Sequence, residues 1–152
     1  MTKYKDLRQW IEQAKEISEM VVVEGADLKY EIGTINQLTA RNAGPSVLHQ
    51  NIKGYPPSFR LLTNLLSNIR TFNLTIGFPI DNTIRDTVET LRIKVKEWET
   101  VAPDLPPKVV EAAPIQENVL EDEDIDLNKF PVPLWHELDG GPYLGTADAI
   151  IT

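Results

Sequence analysis

Charge and proline are distributed very unevenly along this chain of 152 residues. Residues 1–102 carry 13 basic and 12 acidic side chains, a net charge of +1, whereas residues 103–152 carry 2 basic and 11 acidic side chains, a net charge of −9. Seven of the 11 prolines also lie in this second stretch. Prolines and like charges oppose a packed core. The sequence therefore predicts a globular unit followed by an acidic stretch, which is either a disordered tail or the extended entrance to a second domain.

The composition excludes several classes of protein. The chain has no cysteine, which rules out disulfide scaffolds, thiolate zinc sites, iron–sulfur clusters and a cysteine nucleophile, and which fits a reducing cytoplasm. No apolar run approaches the roughly 20 residues of a membrane span, and the N-terminus lacks the apolar core of a signal peptide. The net charge of −8 argues against binding nucleic acid through bulk charge. We therefore expect a cytoplasmic protein with no nucleic-acid partner and no membrane span.

Apolar residues recur with helical or strand periodicity through residues 1–52. The pattern predicts a helix over residues 4–19, a strand over residues 20–23, a helix with apolar residues from 28 to 38, and a strand over residues 46–52. The unbroken run at residues 20–23 is typical of a strand covered on both faces. Asp27 is the expected N-cap of the second helix, which Asn42 and the following Ala-Gly-Pro end.

The rest of this first stretch is less uniform. The sequence Gly-Tyr-Pro-Pro at residues 54–57 requires a loop, while residues 59–66 and 68–77 fit either a strand or a buried helix. Asp81 is the expected cap of a longer helix, whose apolar stripe comprises Ile84, Val88, Leu91, Val95 and Trp98. Strands that alternate with helices predict an α/β fold, with a small mixed sheet and flanking helices.

The acidic stretch combines linker and strand signals. Residues 103–116 are a proline-rich linker, residues 117–120 are a short strand candidate, and an acidic run follows at 121–126. Apolar residues between 125 and 135 are too numerous for an ordinary disordered tail. Residues 143–152 are typical of a strand that reaches the end of the chain. We interpret a chain that ends within a strand as a fragment.

No complete catalytic site is visible in the residues themselves. His49 and His136 have no partners at metal-ligand spacing, so a structural role is favoured for both. The acidic run at 121–126 lacks the pattern of a calcium loop and indicates a solvated surface. The glycine-rich residues 140–145 indicate a tight turn rather than a phosphate cradle. Residues 53–57 fit a ligand-facing loop and a structural turn equally well.

The whole sequence resembles the UbiD-type decarboxylases. The segments that carry the resemblance are Leu-Arg-Gln-Trp-Ile at 7–11, Asn-Ile-Lys-Gly-Tyr-Pro at 51–56, Leu-Thr-Asn-Leu-Leu at 62–66, Lys-Phe-Pro-Val-Pro at 129–133, Trp135, His136, Asp139, Gly140, Gly141, Tyr143, Gly145 and Thr146. Residues 67–70 depart from the family, because they lack its Gly and Pro and leave the geometry of that turn open. The motifs follow one another in the family's order.

The resemblance implies a reversible decarboxylase or carboxylase of aromatic, heteroaromatic or α,β-unsaturated acids. Members of the family use prenylated FMN, held with Mn²⁺ and K⁺, and the full-length protein is expected to be a homo-oligomer. Residues 1–102 would be the N-terminal α/β domain and residues 103–116 a linker. Residues 117–152 would begin the split β-barrel that binds the cofactor, so the fold would be an α/β domain followed by an extended arm that enters an incomplete barrel.

By the same resemblance, Thr146 lines the substrate side of the cofactor, and Tyr143 and Asp148 are neighbours without an assigned role. The family's Asn-x-Ser/Thr-x-x-Arg cofactor motif and its Glu–Arg–Glu network are absent from the sequence. We therefore expect no catalytic residue and no metal ligand in these 152 residues, and the cofactor-binding residues stay unknown. The segment alone should be inactive and bind no cofactor. The alternatives are a non-catalytic subunit or binding module that retains only this domain, and an unrelated small-molecule-binding domain.

Overall fold

A computed structural model describes residues 4–145 of the chain. These residues form two compact units. The first unit is built from the residues up to Asn82 together with those from Phe130 onward, and the second unit is Thr83–Lys129. No helix within the described residues is both long enough and apolar enough to cross a membrane.

The first unit contains a small mixed sheet, as the sequence predicts. Its strands are β1 (Met20–Glu24), β2 (Ser46–Gln50) and β3 (Leu61–Thr63), in the order β1-β2-β3. β1 runs parallel to β2, with Met20 opposite Ser46, and β3 runs antiparallel to β2, with Thr63 opposite Val47. The stretch at 59–66, which fits either a strand or a helix by sequence, therefore contributes a strand.

Helices cover both faces of this sheet. They are α1 (Leu7–Glu16), α2 (Glu31–Arg41) and α3 (Ile69–Ile76), so the second ambiguous stretch, at 68–77, is helical. Successive strand residues point to opposite faces. On the face of Leu48, a buried cluster joins α1 and α3 to the sheet and comprises Trp10, Ile11, Ala14, Leu48 and Leu74. On the opposite face, a second cluster lies beneath α2 and comprises Ala26, Ile32 and Ile52.

The prediction that the first strand is covered on both faces is wrong. β1 lies at the edge of the sheet, and Val21 and Val22 are 45% and 42% exposed. The buried strand is β2, in which Ser46, Val47 and Leu48 are all at most 1% exposed. The branched side chains of β1 reflect strand propensity, whereas burial depends on which strand takes the centre of the sheet.

Two of the predicted helix caps are also wrong. Asp27 does not cap α2, which begins four residues later; its carboxylate instead accepts a hydrogen bond from the Lys29 N–H at 2.8 Å. Asp81 does not cap the helix α4 (Ile84–Val101), because Thr83 and Asp86 form a reciprocal capping box there. Thr83 directly precedes the first residue of α4, so its side chain reaches the free backbone N–H groups of the first turn, which Asp81 does not cap.

The turn at residues 67–70, where the sequence departs from the UbiD-type pattern, is closed by side-chain hydrogen bonds. The Asn68 carboxamide oxygen accepts from the Thr71 N–H at 2.9 Å and so caps α3, while its nitrogen donates to Glu19 at 2.8 Å. Glu19 also pairs with Arg70, with an Nε to Oε1 distance of 2.9 Å. A polar network therefore defines this turn without Gly or Pro.

The second unit consists of α4 and the acidic stretch that follows it. The apolar stripe of α4 is largely exposed, with Ile84 at 68% and Trp98 at 47%. Beyond α4, the described residues of this unit contain short 3₁₀ turns at Ala102–Asp104, Pro114–Gln116, Asp122–Asp124 and Leu127–Lys129, but no strand. The prediction of a strand at 117–120 is therefore wrong. Proline and repelling acidic neighbours favour isolated turns in this stretch.

His49 is fully buried at the centre of the sheet, on the face that packs against α2. Its Nε2 atom lies 3.5 Å from the Thr63 hydroxyl, and its Nδ1 atom has no hydrogen-bond partner among the described residues. Burial lowers the pKa of the His49 imidazole below its ordinary value of 6.5, and the nearby Glu31 carboxylate only partly opposes this. His49 is therefore neutral in the folded chain near neutral pH, which agrees with a structural role.

We predict that acid destabilises the chain through His49. Because its folded pKa lies below that of the unfolded chain, the unfolded state binds the proton first. The free energy of unfolding should then fall as the pH drops below about 6.5, by at most about 1.4 kcal/mol per pH unit for this one group. Urea denaturation between pH 7.5 and 5.5 measures the slope. His49→Gln should remove this slope and the exposed His136→Gln should retain it, whereas equal slopes in all three proteins would contradict the prediction.

We also predict that Asn68 is needed to close the turn before α3. Asn68→Ala removes the cap of α3 and the contact with Glu19, so the free energy of unfolding should fall by about 1–2 kcal/mol. Asn68→Asp keeps the capping oxygen but places a second carboxylate beside Glu19, and should recover only part of the loss. Urea denaturation of the three proteins at neutral pH is the measurement, and full recovery in Asn68→Asp would show that the bond to Glu19 contributes nothing.

Candidate functional site

Residues 130–145 return to the first unit and pair with the backbone just before α2. Leu134 forms an isolated parallel bridge with Lys29. The Leu134 N–H donates to the Leu28 carbonyl at 3.1 Å, and the Tyr30 N–H donates to the Leu134 carbonyl at 2.9 Å. We call residues 130–145 the return segment. Two backbone hydrogen bonds therefore fix its position along the chain that leads into α2.

Aromatic rings hold the start of the return segment. Phe130 lies edge-to-face against Phe59, with ring centroids 6.4 Å apart, and Phe59 lies edge-to-face against Tyr55 at 6.1 Å. Tyr55 also packs against the buried cluster beneath α2. The loop at residues 53–57 therefore supports the return segment indirectly, because Tyr55 packs on Phe59 and Phe59 packs on Phe130. Such ring pairs contribute about 0.5–1.5 kcal/mol beyond the area that they bury.

A reciprocally bonded turn follows Leu134. The His136 N–H donates to Asp139 Oδ2 at 2.8 Å, and the Asp139 N–H donates to the His136 carbonyl at 3.2 Å. The His136 ring Nδ1 lies 3.7 Å from the same carboxylate oxygen. Beyond the turn, the Trp135 indole N–H donates to the Tyr143 carbonyl at 3.0 Å. The glycine-rich residues 140–145 thus belong to a folded-back loop, which agrees with the predicted turn.

The return segment and α2 border an open cleft of about 950 Å³. It is lined by Asn36, Trp135, His136, Asp139 and the loop residues 140–145. The lining combines the indole of Trp135, the imidazole of His136 beside the Asp139 carboxylate, and a glycine-rich backbone. The buried Asn36 Oδ1 has no hydrogen-bond partner among the described residues. The cleft has the composition of a binding surface for a small planar ligand, but it contains no pair of a nucleophile and a base.

The structure brings together only some of the residues that the sequence singles out. His136 and Tyr143 line the cleft, whereas His49 lies in β2 and does not line it. Thr146, the predicted pocket residue, and Asp148 lie outside the described residues. Asn36 was missed by sequence reasoning, and so was Gly33, which contacts Trp135 from α2. A glycine within a helical pattern is the signal that could have drawn attention to Gly33.

The described residues contain no cluster of metal-binding side chains. Within residues 4–145, no group of three or more His, Cys, Asp or Glu side chains is placed to hold a metal ion. The sequence also lacks the Asn-x-Ser/Thr-x-x-Arg motif of the UbiD-type enzymes. The donor set present in the cleft therefore does not fit prenylated FMN with its metal ions, and no chemical step at that group is assigned to these residues.

Two family profiles match the chain in succession. Residues 11–91 match the 3-octaprenyl-4-hydroxybenzoate carboxy-lyase N-terminal domain, UbiD_N. Residues 108–152 match the Rift-related domain of the same carboxy-lyase, UbiD. Together they cover all of the return segment and all of the sheet.

Individual proteins show the same likeness. Pyrrole-2-carboxylic acid decarboxylase of Pseudomonas aeruginosa is 33% identical over 93% of this chain. The closed form of the vanillic acid decarboxylase of Sedimentibacter hydroxybenzoicus superposes with a TM-score of 0.78 at 28% identity, over 93% of this chain. An evolved dimeric form of the UbiD-class enzyme HmfF from Pelotomaculum thermopropionicum, in complex with prFMN, shares the fold with a TM-score of 0.65 at 23% identity, over 91% of this chain. The chain spans only 29% of the first two proteins and 30% of the third.

We predict that Asp139 shapes the turn through its backbone bond rather than through its charge. Asp139→Ala should lower the free energy of unfolding by about 1 kcal/mol, because the His136 N–H loses its acceptor. Asp139→Asn keeps an acceptor oxygen and should be close to the unmodified chain. Amide hydrogen exchange at His136 is the measurement. Equal protection in Asp139→Ala and the unmodified chain would contradict this role.

Proposed function

The chain belongs to the UbiD family, and from this premise we propose that it is the N-terminal part of a reversible decarboxylase or carboxylase that uses prenylated FMN. Residues 1–102 would be its N-terminal α/β domain, residues 103–116 a linker, and residues 117–152 the start of the cofactor-binding barrel. The single observation that carries the proposal is the succession of the two family profiles, in the order of the family's domains. Membership of the family also argues against an unrelated small-molecule-binding domain.

The substrate of the whole protein would be an aromatic or α,β-unsaturated carboxylic acid. Two relatives support this class by their names, which specify pyrrole-2-carboxylic acid and vanillic acid. The prenylated cofactor is supported by the family resemblance and by the prFMN in the HmfF complex. Mn²⁺, K⁺ and a homo-oligomeric assembly are proposed on the family resemblance alone.

The chemistry of decarboxylation explains why these residues would not suffice. Loss of carbon dioxide leaves an electron pair on the substrate carbon, and a bound cofactor provides the electron sink that accepts it. A general acid must then deliver a proton to that carbon. Because no group of three or more His, Cys, Asp or Glu side chains within residues 4–145 is placed to hold a metal ion, we propose that the contribution of these residues is to shape one wall of the active-site cleft. Thr146 would contact the substrate side of that cleft, and the domain would move to close it.

We predict that activity requires more of the protein than these 152 residues. The chain alone should bind neither prenylated FMN nor an aromatic acid, whereas the complete product of its gene, supplied with prenylated FMN and Mn²⁺, should decarboxylate pyrrole-2-carboxylate or vanillate. Flavin absorbance after gel filtration measures binding, and carbon dioxide release measures turnover.

Two outcomes would contradict the proposal. Tight flavin binding by the 152-residue chain would show that the cofactor site lies within it. A complete gene product that ends at Thr152, or one that binds no prenylated flavin, would instead favour the alternative of a non-catalytic subunit or binding module.

Thr146→Val, tested in the complete protein, should lower turnover without loss of bound flavin if Thr146 contacts the substrate.

A further inference from the structure

Helix α2 and the return segment approach each other more closely at Gly33 than a side chain would permit. A Cβ atom built on Gly33 would lie 2.1 Å from the Trp135 carbonyl oxygen and 2.8 Å from its carbon. Ordinary contacts of a Cβ atom begin at 3.4 Å. The neighbouring atoms belong to the backbone, so a rotamer change cannot relieve the overlap.

The stability of α2 alone does not explain why a glycine stands at position 33. Gly33 is the third residue of α2, and a glycine within a helix weakens it relative to alanine. The advantage of glycine at position 33 must therefore come from the close contact that the absence of a side chain permits. It allows the carbonyl of Trp135 to lie directly on α2, where Asn36, one turn later on the same helix, borders the cleft.

We propose that Gly33 is a positioning residue for the substrate pocket. It sets the distance between α2 and Trp135, and through Trp135 it sets the course of the return segment that leads, in sequence, to Thr146. The Trp135 indole extends this effect to the glycine-rich loop, because its N–H donates to the carbonyl of Tyr143 within that loop. The bridge between Leu134 and Lys29 sets the register of the return segment, whereas Gly33 sets the distance between that segment and α2.

The size of the effect follows from the distances. With an alanine at this position, the Cβ atom and the Trp135 carbonyl oxygen would have to separate from 2.1 Å to at least 3.0 Å, a movement of about 0.9 Å. A misplacement of about 1 Å by a mutation far from the reacting atoms can cost about 100-fold in rate. This consequence rests on the proposed function, but the displacement itself does not, since it concerns only the described residues.

The test uses Gly33→Ala in the 152-residue chain, with two matched controls. Thr34→Ala changes the adjacent, exposed position of the same helix, and Gly140→Ala adds a Cβ to the return segment where nothing lies within 4 Å. The readout is hydrogen exchange of the tryptophan indole N–H groups by NMR. Trp135 reports the return segment, and Trp10, which donates to the Thr75 hydroxyl beneath α1, reports the core.

The expected result is local. Gly33→Ala should speed exchange of the Trp135 indole by about tenfold or more, the scale of an overpacking penalty, while the Trp10 indole is unchanged and both controls match the unmodified chain. Unchanged exchange at Trp135 would overturn the proposal. Equal acceleration at Trp10 and Trp135 would also overturn it, because that would be a general loss of stability.

A second arm separates this inference from the proposed function. In the complete gene product, Gly33→Ala should lower kcat by about 100-fold and leave the content of bound flavin unchanged. Turnover equal to that of the unmodified protein would overturn the positioning role. If the unmodified protein has no decarboxylase activity, the proposed function fails, and the indole exchange still decides whether Gly33 positions the return segment.

Discussion

The central strand β2 is the constraint on which the first unit depends. It provides the hydrogen-bonding partner of both β1 and β3, and its alternating side chains point to the two faces that the helices cover. Leu48 enters the cluster beneath α1 and α3, whereas His49 faces α2. Burial lowers the pKa of the His49 imidazole and so favours its neutral form in the folded chain. The centre of the sheet is therefore the part of the first unit most directly linked to pH.

The return segment depends on this layer in turn. Its contacts lie on elements that β2 holds in place: the strand-to-helix connection at Leu28 and Tyr30, the helix α2 at Gly33, and the aromatic loop at Phe59. These contacts are backbone bonds, ring packing and a close approach, not ion pairs between exposed groups, which contribute little. The position of this segment is therefore set mainly by backbone geometry and ring packing.

The sequence predicts the strands and helices with clear periodicity, including β1, β2 and α1, and the motifs at residues 135–145 indicate the family. It does not decide between strand and helix for β3 and α3, because three and eight residues are too short for periodicity to decide. It misplaces the burial of β1 and the cap of α4, since both depend on neighbours in space. Gly33 and Asn36 were missed for the same reason: their partners lie about 100 residues further along the chain.

The contacts of the return segment fix positions rather than hold a charged ligand. Within residues 4–145, no group of three or more His, Cys, Asp or Glu side chains is placed to hold a metal ion, whereas backbone bonds and the close approach at Gly33 set where the return segment lies. Residues that act only through geometry are sensitive to volume rather than to charge. We therefore expect this α/β unit to tolerate changes to its exposed ionic pairs, such as Arg85 with Glu89 on α4, but not the addition of a single methyl group at Gly33.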